Sequence, residues 1–395
     1  MAEIDSGDTA WILMSAALVM LMTPGLAFFY GGLVRRKNVL STIMHSFFIL
    51  GLVSVTWVLW GYTIAFGPDT GLGLFGGLDY LGFEGVSGEP GPYADTIPHL
   101  AFATFQGMFA IITPALITGA FAERKNFKAF VIFAVLWSTF VYAPIAHWVW
   151  GGGWLGELGI LDFAGGTVVH LTSGISALVA ALMIGRRLGV ISPLTQPHNV
   201  TMTVLGAALL WFGWFGFNAG SALAADGVAA LAFVTTNVAA AMAALTWVTV
   251  SWLHKGTPSV VGAAVGAIAG LVAITPAAAI LIGFGVALVC YAVAHVRVLL
   301  RVDDALDVFA VHGVGGAFGA VATGIFAVEV GLLAGNPGQV LVQLIGVAAA
   351  AGYAAVATAV IFLLINLFIR IRVPSDAEER GLDLAQHGEA AYGQA

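Results

Sequence analysis

The stretch DFAGGTVVHLTSG, residues 162–174, places an aspartate and a histidine among glycines and aliphatic residues. A second stretch, DVFAVHGVGG at residues 307–316, repeats this order of an aspartate, a histidine and small residues. The residues around both His170 and His312 are mostly apolar or small, so neither ring is expected to lie in water. The position of the two stretches in the chain decides which fold the sequence predicts.

The sequence around both stretches is typical of an integral membrane protein. Of the 395 residues, 60% are hydrophobic and only 9% are charged. A soluble domain of this length keeps roughly a quarter of its residues charged. Runs of about twenty nearly uncharged residues recur along the chain, and this length crosses a bilayer as a helix. We therefore expect an all-α integral membrane protein.

Charged or Gly/Pro-rich breaks divide the chain into about eleven predicted transmembrane helices. The sixth and eighth have the weakest hydropathy, because alanine and glycine dilute it. An odd number of spans puts the two termini on opposite sides of the membrane. The predicted spans are 10–33, 40–66, 99–122, 128–149, 163–185, 199–224, 228–253, 259–275, 278–297, 306–328 and 339–369.

The two histidine stretches open the fifth and tenth spans, which indicates an internal repeat of five helices. A block of five spans inserts upside down relative to the next, so spans 1–5 and 6–10 predict an inverted repeat with a final helix outside it. His170 and His312 then approach the middle of the bilayer from opposite sides, and adjacent glycines permit close helix contact. We expect the two rings to meet inside one subunit.

Charge gives the orientation. All 14 Lys and Arg residues fall in breaks on one side of the predicted topology, which the positive-inside rule makes cytoplasmic. The N-terminus is therefore expected outside and the C-terminus inside the cell membrane. The opposite face is acidic, which mildly favours a cation as substrate, although carboxylates also keep loops soluble. Basic residues confined to loops exclude a nucleic-acid surface.

Four further features complete the organisation. Residues 1–370 are predicted to form one transmembrane domain, and residues 371–395 a polar cytoplasmic tail. Residues 67–98 are rich in Gly, Pro and acids, so we expect an outer loop without regular structure. The first ten residues lack the basic stretch of a secretory signal, which favours a retained first helix. The single cysteine, Cys290, excludes an internal disulfide and a cysteine-built metal site.

The paired histidines are candidates for chemistry, because an ionisable ring inside a span is costly unless it is paired or faces a cavity. Two rings that share a proton form an uncharged polar bridge able to relay protons. A purely structural hydrogen bond remains open, as does a metal site completed by Asp162 or Asp307. We expect Asp162 to cap the fifth helix, to attract a cation, or both. Asp307 is expected to cap its helix or to orient His312.

Aromatic residues near the outer ends of the spans indicate a cation site. Several belong to an interfacial belt, but Phe109 lies about three turns into its span, which is too deep for one. Trp150, Phe109 and the hydroxyl of Ser221 could bind a small cation through ring faces and one hydrogen bond. We place Phe105 at the same site.

These parts favour ammonium as the substrate. A bare cation cannot cross a phenyl-lined pore without losing its hydration, and the spans offer no ring of carbonyl groups such as a potassium filter uses. Ammonium becomes neutral by losing a proton, whereas potassium and sodium have none to lose. We expect capture, deprotonation and passage of ammonia along the histidines. Whether the proton follows, making transport electrogenic, remains open.

Six segments in order are similar to one known family: YAPIAHWVWGGGW, DFAGGTVVH, WFGWFGFNAGSALA, AIAGLVAITPAA, DVFAVHGVGG and GLDLAQHGEAAY. Over essentially its whole length the chain resembles the ammonium transporter (Amt/Mep/Rh) family, especially the Amt proteins of archaea and bacteria. The resemblance implies a transporter for nitrogen uptake without cofactors or a bound metal. Ammonium is then the substrate and methylammonium a possible second one.

The resemblance also implies an assembly and residue roles. It implies a homotrimer with one eleven-helix pore per subunit, and a regulatory tail that docks on the neighbouring subunit. A PII-type signalling protein would close the cytoplasmic mouth. The implied residues are Trp150, Phe109 and Ser221 for recruitment, Phe109 and Phe217 as a phenyl gate, and His170, His312 and Asp162 for conduction.

Two other functions compete with transport. An intramembrane serine hydrolase would pair Ser221 with His170 or His312, but Ser221 lies near the outer end of its span, away from His312. A sensor would change conformation on binding ammonium while little substrate crosses. The chain carries no kinase, cyclase or receiver-like segment, which favours a transporter over a sensor alone.

Overall fold

Long apolar helices account for most of the chain. The computed structural model describes residues 3–189, 197–274 and 279–393. Within those residues, 10 helices are long and apolar enough to cross a membrane, and one apolar helix, Val260–Ala273, is shorter. In chain order the helices are α1 Ser6–Leu33, α2 Arg36–Phe66, α3 His99–Ile117, α4 Phe127–Glu157, α5 Gly166–Ile184, α6 Val200–Ala222, α7 Gly227–Lys255, α8 Val260–Ala273, α9 Ala279–Leu299, α10 Phe309–Phe326 and α11 Gly338–Phe368.

The prediction of about eleven apolar helices is confirmed within the described ranges. The sixth predicted span forms a full helix, α6, and the eighth forms the short helix α8. Polar side chains mark where several helices begin. Asn126 accepts the Lys128 N–H before α4, and Asp226 accepts two amide hydrogens at the start of α7. These residues satisfy N–H groups that have no partner within the helix.

The helices that correspond in the two halves pack backbone to backbone. A Cβ placed on Gly174 of α5 would lie 1.9 Å from the Gly313 nitrogen of α10. Further along, Gly166 lies against Gly316, so the two helices run in opposite directions. A Cβ on Gly206 of α6 would lie 2.1 Å from the Phe29 nitrogen of α1. Small residues permit this approach, as the inverted repeat requires.

The loops that carry most of the basic residues meet at one end of the helices, here called the basic end. Arg187 donates to Asp303 at 2.8 Å and to Glu123 at 3.1 Å, and Arg35 donates to Glu123 at 2.8 Å. Burial alone would raise the pKa of Asp303, but the hydrogen bonds and charge of Arg187 lower it to about 2. Paired charges are the form in which a protein can bury ions.

The tail docks on loops of its own chain. It contains two short helices, α12 Ser375–Arg380 and α13 Asp383–His387. Asp383 accepts the Ser41 N–H at the start of α2 at 2.8 Å. Gln386 accepts the Phe127 N–H at 2.7 Å at the start of α4. The tail therefore holds the first turns of two transmembrane helices.

The loop of residues 67–98, expected outside and without regular structure, contains two strands. Two short antiparallel strands, β1 Pro90–Gly91 and β2 Ala94–Pro98, form a hairpin before α3. Asp5, at the start of α1, donates its backbone N–H to Thr96 of β2 at 2.8 Å. The hairpin is stabilised by this contact with a neighbouring segment, which a local reading of loop composition does not reveal.

Candidate functional site

A cavity of about 290 Å³ opens between α3, α4 and α6 at the end of the helices opposite the basic end, and it is here called the outer cavity. It brings together all four residues that we assigned to cation binding. The Phe105 and Phe109 rings lie 4.9 Å apart edge to face, and Phe109 meets Trp150 at 6.1 Å and 88°. These four lining residues are Phe105, Phe109, Trp150 and Ser221.

Hydrogen bonds fix the polar edges of this cavity. The indole N–H of Trp150 donates to the backbone oxygen of Asp162 at 2.7 Å, which holds the ring in one orientation. The Ser221 hydroxyl donates to the Phe217 carbonyl at 2.8 Å, so its oxygen is left as an acceptor. Gln106 also lines the cavity, and its side-chain oxygen has no partner among the described residues. These groups can accept hydrogen bonds from a cation.

Two stacked phenyl rings lie below the outer cavity. The rings of Phe109 and Phe217 are 4.3 Å apart at 35°, and both side chains are 1% exposed. Phe109 lines the outer cavity, whereas Phe217 lines a narrow inner cavity with His170 and His312. Rings at this separation are in contact, so the two cavities are divided by hydrocarbon.

The structure brings the two predicted histidines together beneath these rings. The Nδ1 atoms of His170 and His312 are 3.2 Å apart, and both rings are buried. The His170 ring also stacks on Trp214 and Phe217, at 5.4 Å and 5.6 Å. One Nδ1 must donate and the other accept, so the contact contains one shared proton and no net charge when both rings are neutral.

Each histidine stands in a wide helical turn at the start of its helix. The π-helical turns Gly166–Leu171 and Phe309–Val314 open α5 and α10. Such turns are rare and concentrate at functional sites. A wide turn rotates its side chains relative to the rest of the helix, which allows both imidazoles to point into the same space.

Asp162 stands at the N-terminus of α5. Its carboxylate accepts the N–H groups of Gly165, Thr167 and Val168 at 2.7, 3.0 and 2.9 Å. The positive end of the helix dipole compensates the negative charge. Asp162 also lines the outer cavity. The same carboxylate thus fixes the first turn of α5, which carries His170, and places negative charge beside the outer cavity.

A second, small chamber lies between Asp162 and His170, and Phe217 is also part of its lining. Its volume is about 30 Å³, and its lining includes Asp162, His170, Asn218 and Thr323. Space of this size with polar walls is sufficient to hold a water molecule. Asp162 lines both this chamber and the outer cavity, and His170 lines both this chamber and the inner cavity, so the chamber places polar groups between the two cavities.

Asp307 does not occupy the position that we expected. Its carboxylate accepts the Arg297 Nε–H at 2.7 Å instead of capping α10 or bonding to His312. The cap is Asp304, whose Oδ2 accepts the Phe309 N–H at 2.7 Å. The positive φ of 58° at Asp307 turns the chain so that the side chain of Asp304 reaches the helix start.

The polar groups that a metal site or a serine hydrolase would need form hydrogen bonds with other partners. The carboxylates of Asp162 and Asp307 bond to backbone amides and to Arg297, so neither completes a metal site with the imidazoles. The Ser221 hydroxyl bonds to a backbone carbonyl, whereas His170 bonds to His312. This geometry does not form the nucleophile and base pair of a hydrolase.

Sequence reasoning missed two lining residues. Gln106 follows Phe105 directly on α3, but an uncharged amide on an apolar helix gives no signal by itself. Trp214, in the segment WFGWFGFNAGSALA, stacks on His170 and lines the inner cavity, although nothing in the sequence distinguishes it from aromatic residues at the membrane interface. To assign a residue to the outer or the inner cavity, one needs its depth in the membrane, which the sequence does not give.

Known proteins match this chain over nearly its full length. The sequence model of the Ammonium Transporter Family matches residues 10–392. The ammonium transporter of Bacillus subtilis is 50% identical over 98% of this chain and 98% of its own length. Ammonium transporter Amt1 of Archaeoglobus fulgidus is 48% identical, covering 98% of this chain and 100% of its own.

Solved structures have the same fold. Mep2 of Saccharomyces cerevisiae aligns with a TM-score of 0.89 at 39% identity, over 94% of this chain and 88% of that one. A structure named Sensor Amt Protein aligns with a TM-score of 0.89 at 31% identity, over 96% of this chain and 98% of its own.

Proposed function

The chain belongs to the ammonium transporter family, and from this premise we propose how its residues move ammonium across a membrane. It is a multi-pass membrane transporter and not an enzyme. The proposal concerns the steps in the path: capture at the outer cavity, loss of a proton, and passage of ammonia along the histidine pair. One observation carries it, the contact of two buried imidazoles at 3.2 Å behind a pair of touching phenyl rings.

Capture takes place in the outer cavity. The faces of Trp150 and Phe109 attract a cation electrostatically, and the Ser221 oxygen accepts one of its N–H groups. Phe105 packs edge to face against Phe109 and fixes the wall of the site. The carboxylate of Asp162 lines the same cavity and adds favourable charge. The site thus replaces part of the water shell of ammonium.

The proton leaves before the substrate passes the phenyl rings. A charged ion between Phe109 and Phe217 would lose its hydration without compensation, whereas ammonia is neutral and small. We assign the proton a route through the small chamber lined by Asp162, Asn218 and His170, which Phe217 also borders. The ring nitrogens of the two histidines can accept the proton and can form hydrogen bonds with ammonia.

The remaining parts of the proposal concern sidedness and partners. The positive-inside rule makes the basic end cytoplasmic, with the N-terminus outside the plasma membrane. We further propose a homotrimer, use of methylammonium, and regulation by a PII-type protein at the basic end. These proposals rest on membership of the family. The proposal is supported by the position of the tail, which contacts the first turns of α2 and α4 at the basic end.

The proposal is tested by recording currents from proteoliposomes after rapid addition of ammonium or potassium. We expect an ammonium-evoked current and none with potassium, because only ammonium can discard its charge. A potassium current of similar size would contradict deprotonation. Uptake detected by a pH dye without current would show that ammonia passes alone. Absence of both current and uptake would favour a sensor that binds ammonium without transporting it.

Replacing Trp150 with leucine should raise the ammonium concentration that gives half-maximal current roughly tenfold, since a desolvated cation–π contact is worth about 1–2 kcal/mol. Trp150→Phe keeps a ring face and should change the value less. The control is Trp154→Leu, because Trp154 packs on Trp148 outside the lining of the cavity. Equal values for Trp150→Leu and wild type would exclude Trp150 from the binding site.

A further inference from the structure

One buried carboxylate at the basic end has no part in the path described above. Asp304 lies between α9 and α10 and is 0% exposed. Its Oδ2 accepts the Phe309 N–H at 2.7 Å, whereas its buried Oδ1 has no hydrogen-bond partner in the described part of the chain. A helix cap needs one oxygen, and a buried unpaired oxygen destabilises the fold. A cap alone therefore does not explain an ionisable side chain here.

Asp304 lies beside the inner end of the pore. It caps the turn Phe309–Val314, which carries His312 about one helical turn further on. Tyr30 of α1 lies beside Val308 at the capped turn, since a Cβ on Gly119 would meet both side chains at 2.7 Å. The Tyr30 hydroxyl donates to the Leu116 carbonyl at 2.9 Å, and Leu116 lines the inner cavity together with His312. Through Tyr30, the segment that Asp304 caps is thus joined to a residue that lines the cavity of the histidines.

The surrounding charges leave Asp304 able to titrate. Burial raises the pKa of Asp304 to about 6; the Arg297 charge opposes the rise and Asp307 adds to it. Arg297 donates its Nε–H to Asp307 and an Nη–H to the Val302 carbonyl, so these two hydrogen bonds do not involve Asp304. The acid and carboxylate forms of Asp304 are both accessible near the pH of a cell interior.

We propose that Asp304 is the proton-transfer residue of the inner end of the pore, beside Tyr30. In the first step an imidazolium N–H bond of the histidine pair breaks and an O–H bond forms on the carboxylate. In the second step this O–H bond breaks, an N–H bond forms on departing ammonia, and ammonium and the carboxylate result. This inference rests on the proposed function and adds the site where the transported molecule recovers its charge.

The test measures ammonium uptake into right-side-out membrane vesicles at fixed outer pH and at inner pH values from about 5 to 8. The rate of Asp304→Asn is divided by the wild-type rate at each inner pH, which cancels the change in driving force. We expect a ratio of about one tenth at inner pH 7.5, where the carboxylate accepts protons, rising toward one at pH 5. At pH 5 wild-type Asp304 is itself protonated and no longer an acceptor.

Two controls separate proton transfer from capping. Asparagine caps a helix as well as aspartate, so Asp304→Asn should fold, and Asp304→Glu should recover the wild-type profile. Asp383 is a matched residue in the tail, since one oxygen accepts the Ser41 N–H and the other is buried without a described partner. Asp383→Asn should give a ratio that does not vary with inner pH.

A pH-independent ratio for Asp304→Asn would overturn the proposal and leave Asp304 as a helix cap. If Asp304→Asn does not reach the membrane, Asp304→Ser, which also caps a helix but lacks a carboxyl group, is scored by the same ratio. Failure of the wild-type protein to take up ammonium would instead refute the proposed function. The two failures are therefore distinguishable in one set of vesicles.

Discussion

Replacing His170 with alanine is expected to reduce the ammonium-evoked current roughly a hundredfold, which corresponds to about 3 kcal/mol in the barrier. The substitution removes the partner of His312 at 3.2 Å and leaves a buried ring nitrogen without a hydrogen bond. It also removes the ring that stacks on Trp214 and Phe217. Ammonia would then meet an apolar void in place of a polar bridge, and the proton would lose its acceptor.

The measurement is the same proteoliposome current, normalised to the amount of protein inserted. His170→Asn is the informative companion, since an amide can keep a hydrogen bond to His312 but cannot carry a proton. His254→Ala is the control. His254 lies at the end of α7, where it forms a hydrogen bond with Tyr291, and it does not line the inner cavity. Full current in His170→Ala would contradict a role of this imidazole in conduction.

Replacing Gly174 with alanine should have the second largest effect. The new methyl group would lie 1.9 Å from the Gly313 nitrogen and 2.2 Å from its Cα, so α5 and α10 must separate. Overpacking of this kind costs about 1–3 kcal/mol or more. His170 stands one turn before Gly174, and His312 precedes Gly313, so the rings move apart together with the backbones.

We expect the thermal midpoint of Gly174→Ala in detergent to fall by several degrees and its ammonium current to fall at least tenfold. Gly352→Ala on α11 is the matched control, because a Cβ there meets nothing within 4 Å. The control should have the wild-type midpoint and current. If both variants behave alike, the contact between α5 and α10 is looser than the structure indicates.

Much of the fold could be predicted from the sequence because a bilayer imposes simple rules. Apolar runs of fixed length predicted the helices, and the spacing of His170 and His312 predicted that the two halves are inverted. Both histidines do lie in contact. Clustering of aromatic residues likewise predicted that Phe109 and Trp150 share a cavity. Each of these inferences depends on a pattern that repeats along the chain.

The details that escaped prediction depend on local backbone geometry. Asp304 and Asp307 are equally plausible caps by sequence, and only the left-handed conformation at Asp307 directs the cap to Asp304. The wide turns that present both histidines have no sequence signature. Contacts between distant segments, such as Asp383 with Ser41, join residues that no local pattern relates.

The separation of the two histidines in the chain has a consequence for biogenesis. His170 and His312 are 142 residues apart, and ribosomes add about 5–20 residues per second, so His170 is made roughly 7–28 s before its partner. During that interval the glycines and the imidazole of α5 face lipid or a translocation channel. In the nascent first half, His170 therefore lacks its hydrogen-bond partner until the last third of the polypeptide, which contains His312, is inserted.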